Sequence, residues 1–577
     1  MTAQALSASV IDSLEALADK EVRLGESAYQ TQHYDQADKH YTNATNTFLL
    51  LARTDPDRFE LLLAATLLDY AALCFDMSDY QRAESFALQS LAIRRKYAVQ
   101  KGLSNSSAVA IASGNLGILY LYQKQFSKAK PHLEEALSIF NVLAETDPEQ
   151  YEPWRAKYLI QMAAFYREQY DFAKAEKFNQ EGVALYRRLA VQSPEINEPE
   201  LSGALVSTGN TYLSWKKFDE AENAYTEALQ IHYRLVRKDS TRYEPELANI
   251  LNSLASCYIY QNKLDRGEEM LLQSIAIRRR LAALDPALYE FYLAISLGNM
   301  GVLLCNKKEY ARSIPFYEES IGIRRRQAAD NPQMHEPDLA TQLIHLGSVY
   351  NDLGEPQRAL PYFEEALEIR RRLDELYPEV YRPLLADLLM RSGDLYVQLA
   401  DSSKAKKAYL ESIGVYANLL ASGADHFKPG LSETLNSLGM LYLAGKSYDS
   451  ALSVFDKQKE ILEKPGDEPS ADNRQDLAYC YNNIATAQLG LGKLDPARVA
   501  LDRSRQLDPG NSWLYRNLAC YYALKNDPEA AVQNLSKAAD LGYDDPEWLA
   551  REKSLDSVRK HPRFKTIAAR IAKNAEQ

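Results

Sequence analysis

The loudest chemistry in the sequence is cationic. Arg94-Arg95-Lys96, Arg187-Arg188, Arg278-Arg279-Arg280, Arg324-Arg325-Arg326 and Arg370-Arg371-Arg372 recur in one register, and stacked runs of this kind could align guanidinium groups against phosphates. Consecutive residues of a helix point 100° apart, so each run spreads around its helix and one column at a time can form a stripe. Glu60, Glu152, Glu198, Glu244, Glu290 and Glu336 recur in a register of their own, and Glu368 to Arg372 and Arg326 to Asp330 stand four residues apart. Structural ion pairs are therefore expected of the arginines in preference to phosphate contacts.

Catalytic and metal chemistry have less to work with. The histidines His33, His40, His132, His232, His335, His345, His426 and His561 show no metal-ligand spacing, and His335-Glu336 lacks the second histidine of an HExxH helix. No glycine-rich phosphate loop or nucleophile elbow occurs. Cys74, Cys257, Cys305, Cys480 and Cys520 form no CxxC or Cys/His cluster and are expected to be reduced and buried. The expectation is a protein that is not an enzyme and takes no metal or cofactor.

Composition agrees with a binding role. The 577 residues are 46% hydrophobic and 25% charged with a formal net charge of -12, which argues against a general nucleic-acid binder and favours basic partners. The amino-terminal MTAQALSASVIDSLEALADKE has acids where an export signal carries a cationic and then an apolar run, so a cytoplasmic location is expected. The apolar window from Phe59 to Phe75 is broken by Glu60 and Asp69, and no membrane span is expected.

The elements that position these groups repeat. Steps of 46 residues give Tyr34, Tyr80, Phe126, Phe172, Phe218, Leu264, Tyr310, Pro356, Ser402, Tyr448 and Leu494, each followed three residues on by alanine, glycine or serine. A fixed register of that length marks a stacked repeat in one array. Each unit reads as two helices. The first ends in polar turns such as Gln261-Asn262-Lys263, and the second begins near Leu264 and is the longer. Asp55-Pro56, Asp147-Pro148, Ser193-Pro194, Asp285-Pro286, Asn331-Pro332 and Tyr377-Pro378 read as stops, and Glu152-Pro153, Glu198-Pro199, Glu244-Pro245 and Glu336-Pro337 as the start of the next helix. After Leu494 the step shortens to 34, at Pro528. The expected divisions are a long-period array over 1–493, two shorter repeats over 494–541 and capping helices over 542–577. Lys464 to Gln475 carries breakers and polar residues, which suggests a bend or an exposed contact.

These residues resemble the tetratricopeptide repeat family. The family's small eighth position appears as Gly25, Ala71, Gly117, Ala163, Gly209 and onwards, and its tyrosine three residues later as Tyr120, Tyr166, Tyr212, Tyr258 and Tyr350. The long period, the Asn482-Asn483 pair and the phrase Ala366 to Arg370 are similar to kinesin-light-chain-type repeats. Leu541 to Phe564 resembles a terminal segment of bacterial arrays, with Trp548, Leu549, Leu555, Val558 and Phe564 covering the last repeat. The resemblance implies an all-α, right-handed superhelical solenoid of about twelve helix pairs. It also implies that the first helices line a groove that holds a peptide or protein partner.

Helix geometry says which residues would face that groove. The sixth position lies opposite the packed fourth, seventh, eighth and eleventh, flanked by the second, ninth and thirteenth. The sixth column reads Arg23, Asp69, Asn115, Gln161, Ser207, Ser253, Asn299, His345, Arg391, Ser437, Asn483 and Asn517. With its flanks it holds the acids Asp19, Glu26, Asp69, Asp76, Glu168, Asp352, Asp387, Asp394 and Glu433 against Arg23, Lys157 and Arg391. The partner-binding candidates are Asp69, Asp76, Asn115, Gln161, Asn210, Asn299, His345, Asp352, Asp394, Asn483 and Asn517. An acidic, amide-rich groove suits a basic or polar partner. The expected function is a protein–protein interaction scaffold or adaptor. The alternatives are a regulatory or sensor subunit of an effector enzyme and, further off, RNA binding along the arginine columns.

Overall fold

The computed structural model describes residues 7–31, 33–101, 106–463 and 471–576, and their regular structure is entirely helical. They fall into two compact units that divide between Lys308 and Glu309, where the repeat register had suggested one array. The first unit holds α1 (Ala8–Gln30), α2 (Tyr34–Thr54), α3 (Pro56–Asp76), α4 (Tyr80–Lys101), α5 (Ser106–Tyr122), α6 (Phe126–Thr146), α7 (Pro148–Glu168), α8 (Phe172–Gln192), α9 (Pro194–Ser214), α10 (Phe218–Lys238), α11 (Ser240–Tyr260), α12 (Leu264–Leu284) and α13 (Pro286–Asn306). The second holds α14 (Tyr310–Asp330), α15 (Pro332–Asp352), α16 (Pro356–Leu376), α17 (Pro378–Gln398), α18 (Ser402–Ala421), α19 (Lys428–Ala444), α20 (Tyr448–Leu462), α21 (Ala471–Gly490), α22 (Leu494–Leu507), α23 (Ser512–Leu524), α24 (Pro528–Asp540), α25 (Pro546–Arg551) and α26 (Phe564–Asn574). Odd-numbered helices up to α23 are the A helices of the hairpins and even-numbered ones the B helices. Each of the eleven residues picked out by the repeat step opens a B helix.

The helices divide the period differently from the sequence reading. α7 and α8 are 21 residues each, as are α9 to α17, so the second helix is not the longer. The acid-proline pairs are starts, not stops. Asp147 caps α7 by accepting the Gln150 N–H at 3.2 Å, and Pro148 takes the first helical position, where no hydrogen bond is lost. Asp55, Asp285 and Asn331 cap α3, α13 and α15 in the same way. The Glu-Pro prolines, Pro153, Pro199, Pro245 and Pro337, lie inside their helices. A competent cap beside a well-placed proline outweighs the rule that proline ends a helix.

One residue therefore joins α2 to α3, α6 to α7 and each B helix from α8 to α16 to the A helix that follows it. At Asp55, Asp147, Asp285 and Asn331 that residue keeps φ between -139° and -144° and ψ between 84° and 92°. Compared with the short repeat, in which α22 has 14 residues and α23 has 13, the long repeat extends both helices and shortens the connection between hairpins.

The hairpins pack through the small columns. Gly209 lies under the Tyr225 ring and Gly393 under Tyr409, where an added Cβ would come to 2.6 and 2.4 Å of the ring. Serines of the B helices donate to A-helix carbonyls 26 residues back: Ser90 to Ala64 at 2.6 Å, Ser274 to Ala248 at 2.9 Å, Ser412 to Ala386 at 2.8 Å and Ser504 to Ala478 at 2.9 Å. A buried hydroxyl in a close helix contact needs such a partner.

At the carboxyl end Leu549, Leu555, Val558 and Phe564 are buried with Leu535 and Ile571, and Trp548 packs against the same core. Arg516 is clamped between the Trp513 and Trp548 rings, 4.7 and 4.4 Å from their centroids. Residues 464–470 of the Lys464 to Gln475 stretch lie outside the described residues, and Ala471 onwards belongs to α21. Among the described residues Pro286–Asn306, not the Phe59–Phe75 window, forms a helix long and apolar enough to cross a membrane. It holds an A position, with Leu293, Leu297, Met300 and Leu304 buried in its unit.

Candidate partner-binding face

Within each unit the A helices touch their successors, as α5, α7, α9, α11 and α13 do in the first and α17, α19, α21 and α23 in the second. In the first unit Asp69 and Asp76 are exposed, and Asn115, Gln161, Asn210 and Asn299 are half-buried. In the second Asp352 is exposed, and His345, Asp394 and Asn483 are half-buried. Asn517 departs from the expectation. It is 2% exposed, donates to Asn482 Oδ1 at 2.9 Å and Thr486 Oγ1 at 2.8 Å, and accepts from Arg516. The short final repeat turns its sixth position onto α21 and buries it there.

Several of the amides tie A helices together. Asn299 donates to Asn252 Oδ1 at 3.1 Å and Asn483 to Asn436 Oδ1 at 3.1 Å, and Asn517 makes the same step to Asn482. Asn210 instead accepts the Tyr225 hydroxyl at 2.6 Å. A carboxamide has more than one hydrogen-bonding site, so a half-buried one that braces its neighbour keeps capacity for a ligand.

The acids are crowded in both units. Asp69 keeps an exposed edge, yet the surrounding protein desolvates its carboxyl and the Glu26 charge adds to this, raising its pKa to about 6. Asp76 accepts the Tyr29 hydroxyl at 2.5 Å. In the second unit burial raises Asp394, which accepts the Tyr409 hydroxyl at 2.6 Å, and Glu433 is raised by burial and by the charges of Asp394, Asp387 and Asp476. Asp476 lies two residues before the first position of the repeat pattern. The 34-residue template has no column there, but the extended A helix does.

The arginine columns are engaged elsewhere. The first column is buried: Arg278 is 3% exposed and donates to Ser296 Oγ at 2.6 Å and Asn249 Oδ1 at 2.7 Å. Arg324 pairs with Asp338 at 3.0 Å and Arg370 donates to Thr341 at 3.1 Å. The second column reaches the next B helix 40 residues on, as Arg95 to Glu135 and Arg371 to Glu411, both at 2.8 Å, and Arg187 to Glu227 at 2.7 Å. The third column returns to its own A helix. Lys96 meets Glu60 at 2.6 Å, Arg188 meets Glu152 at 2.5 Å, Arg280 meets Glu244 at 2.6 Å and Arg372 meets Glu336 at 2.6 Å. Arg372 thus takes the A-helix glutamate, not Glu368 four residues away.

Other reactive groups are enclosed. Ser113 lies within 2.8 Å of His132 Nδ1 and donates to Glu135 at 2.5 Å, and it is fully buried. His232 bonds Ser202 at 2.7 Å, and burial lowers its pKa to about 4. Burial raises the thiols of Cys74 and Cys257 to about 11 and of Cys480 to about 12. Among the described residues no group of three or more His, Cys, Asp and Glu could hold a metal ion.

Sequence profiles of the tetratricopeptide repeat match residues 155–193, 203–231, 247–285, 292–372 and 386–419. Over those residues the helical hairpins in that register are tetratricopeptide repeats. No curated protein matches it. Among solved structures, BtubC (BKLC) from P. vanneervenii shares 25% identity over 44% of this chain and 92% of its own, with a TM-score of 0.36. A tetratricopeptide repeat protein from Parabacteroides merdae shares 16% over 56% and 98%, with a TM-score of 0.33. The apo form of RapI shares 15% over 69% and 99%, with a TM-score of 0.42.

Proposed function

We propose that the protein is a scaffold that binds a basic or polar protein or peptide along the acidic, amide-rich face of its A helices. The observation that carries this reading is the crowding of carboxylates on that face: Glu26, Asp69 and Asp76 in the first unit, and Asp387, Asp394, Glu433 and Asp476 in the second. Like charges held together gain most from a ligand that brings lysine or arginine, and they repel anionic tails. RNA binding loses its support because the arginines that would meet phosphates are held by Glu135, Glu152, Glu227 and their equivalents. Affinity then comes from several shallow contacts along the face. The same reading puts the protein in the cytoplasm, where buried thiols such as Cys74 and Cys480 stay reduced.

The test is affinity capture of the tagged full chain from its native lysate, beside a variant reversed to lysine at Asp69, Asp76, Asp352 and Asp394 and beside a nuclease-treated control. Loss of a captured protein in the reversed variant alone supports the scaffold. Capture that survives reversal and disappears with nuclease overturns it.

A further inference from the structure

In the second repeat of the first unit, a packing position between the A and B helices is occupied by a small residue. The seventh residue after most B-helix starts is a large apolar or aromatic side chain that fills the hairpin, such as Tyr41, Leu133, Tyr225, Phe363 and Tyr409, and in the fourth repeat it is Asn179. In the second repeat it is Ala87, and in no other 46-residue repeat is it alanine. The A-helix residue that such a ring would cover, Ala71, is small as well. Two small residues face each other where the repeat elsewhere sets a ring against a small one, and a cavity of about 170 Å³ remains. That is close to the size of apolar cavities that admit a benzene-sized group, about 150 Å³.

The walls are apolar, from Ala71, Phe75, Ala83, Ala87 and Ile118, and three polar groups stand on the lining: Tyr29, Asp76 and Asn115. α1, α3 and α5 all contribute, so the pocket opens on the A-helix face. Asp76 is exposed, and its Oδ2 accepts the Tyr29 hydroxyl, which leaves Oδ1 as a single-point acceptor. A planar guanidinium prefers two parallel contacts, whereas an ammonium is satisfied by one. An apolar slot with one carboxylate on its lining suits an alkyl stem that ends in an ammonium.

Resting on the scaffold reading, we propose that this pocket is the anchor for one lysine side chain of a basic peptide segment. The four methylenes lie between Ala71, Ala87 and Ile118, and the ammonium meets Asp76 and the Asn115 carbonyl. Asp69 and Glu26 on the same face supply the field that draws a basic segment to it.

The experiment uses the full chain and synthetic nonapeptides Lys-Ala-Ser-Ala-X-Ala-Ser-Ala-Lys, labelled with fluorescein, with X as lysine, norleucine, arginine or glutamate. Binding is read by fluorescence anisotropy at low salt. The expected result is that lysine at X binds about tenfold more tightly than norleucine or glutamate. Ala87→Phe, which restores the ring that other repeats carry, should remove that preference while the melting temperature stays level or rises. Ala87→Leu, after Leu133, serves as a second filling. Asp76→Asn should lower lysine to the norleucine level.

Equal binding of lysine and norleucine, a preference that survives both fillings, or no binding of any peptide overturns the proposal. Peptide binding that falls with reversal of Asp352 and Asp394 but ignores Ala87→Phe keeps the scaffold reading and rejects the anchor. A lysine preference that Ala87→Phe abolishes, in a protein whose lysate partner survives reversal of Asp69, Asp352 and Asp394 with Asp76 left intact, keeps the anchor and rejects the wider acidic face.

Discussion

Asn299 donates to the carboxamide oxygen of Asn252, 47 residues earlier, at 3.1 Å, and Asn483 and Asn436 repeat the step at the same distance. The bond lies between neighbouring A helices, so it braces the surface on which a partner would lie. Asn252→Ala removes the acceptor and is expected to cost about 1 kcal/mol. Native-state hydrogen exchange should show the loss in α11 and α13 first, because repeat arrays open locally.

The three arginine columns should differ in their effect on stability. Arg278→Met strips hydrogen bonds from buried Ser296 and Asn249, and about 3 kcal/mol is expected from the groups left unpaired. Arg188→Ala breaks an exposed pair with Glu152 and should cost less than about 1 kcal/mol. Denaturant unfolding of the two variants side by side checks the order.

The acid caps set where A helices begin. Asp147→Ala removes the acceptor for the Gln150 N–H and should lower stability by about 1 kcal/mol, with Asp147→Ser recovering most of it. Thermal melts of the three proteins decide this. Equal melting temperatures would mean that Pro148 alone fixes the start.

The pH dependence follows from Asp69. Burial raises its folded-state pKa from 3.8 to about 6, so the folded chain holds a proton that the unfolded chain has lost across that interval. The contribution of this group to stability is present below the unfolded value and is lost as pH rises through about 6. Against Asp69→Asn, the wild type should therefore lose stability across that interval. Affinity for a basic peptide should rise over the same interval as the carboxylate ionises, and the dependence should vanish in Asp69→Asn. Parallel melts and peptide titrations at stepped pH check both signs.

Much of this was legible in the sequence because a repeat reports its own register. The step from Tyr34 to Leu494 located eleven helix starts, since an insertion anywhere would have broken it. The small columns identified the hairpin contacts that Gly209 and Gly393 make. Boundaries at the other end were misplaced, because Asp-Pro can end one helix or cap the next and the sequence does not show which helix owns the aspartate. Asp476 stayed outside the groove columns because the 34-residue template stops short of the extended A helix. Asn517 satisfied the column rule, but it is tied to α21 through Asn482 and Thr486 and to Arg516, which Trp548 clamps from about thirty residues further along the chain. Ala87 is the one alanine in a column that is otherwise large or, at Asn179, polar. Its meaning required knowing that Ala71 faces it.

The single-residue joints at Asp55, Asp147, Asp285 and Asn331 restrict how such a chain can grow. One extra residue within a helix turns the remainder by 100° about its axis and swings its buried stripe outward, and a joint of one residue has no slack to absorb the error. Insertions and deletions are therefore tolerable at the three-residue A-to-B turns and at longer joints such as that from α18 to α19, while across the single-residue joints the array lengthens only by duplication of whole 46-residue units. A partner that comes to need a longer footprint would obtain it in quanta of one repeat.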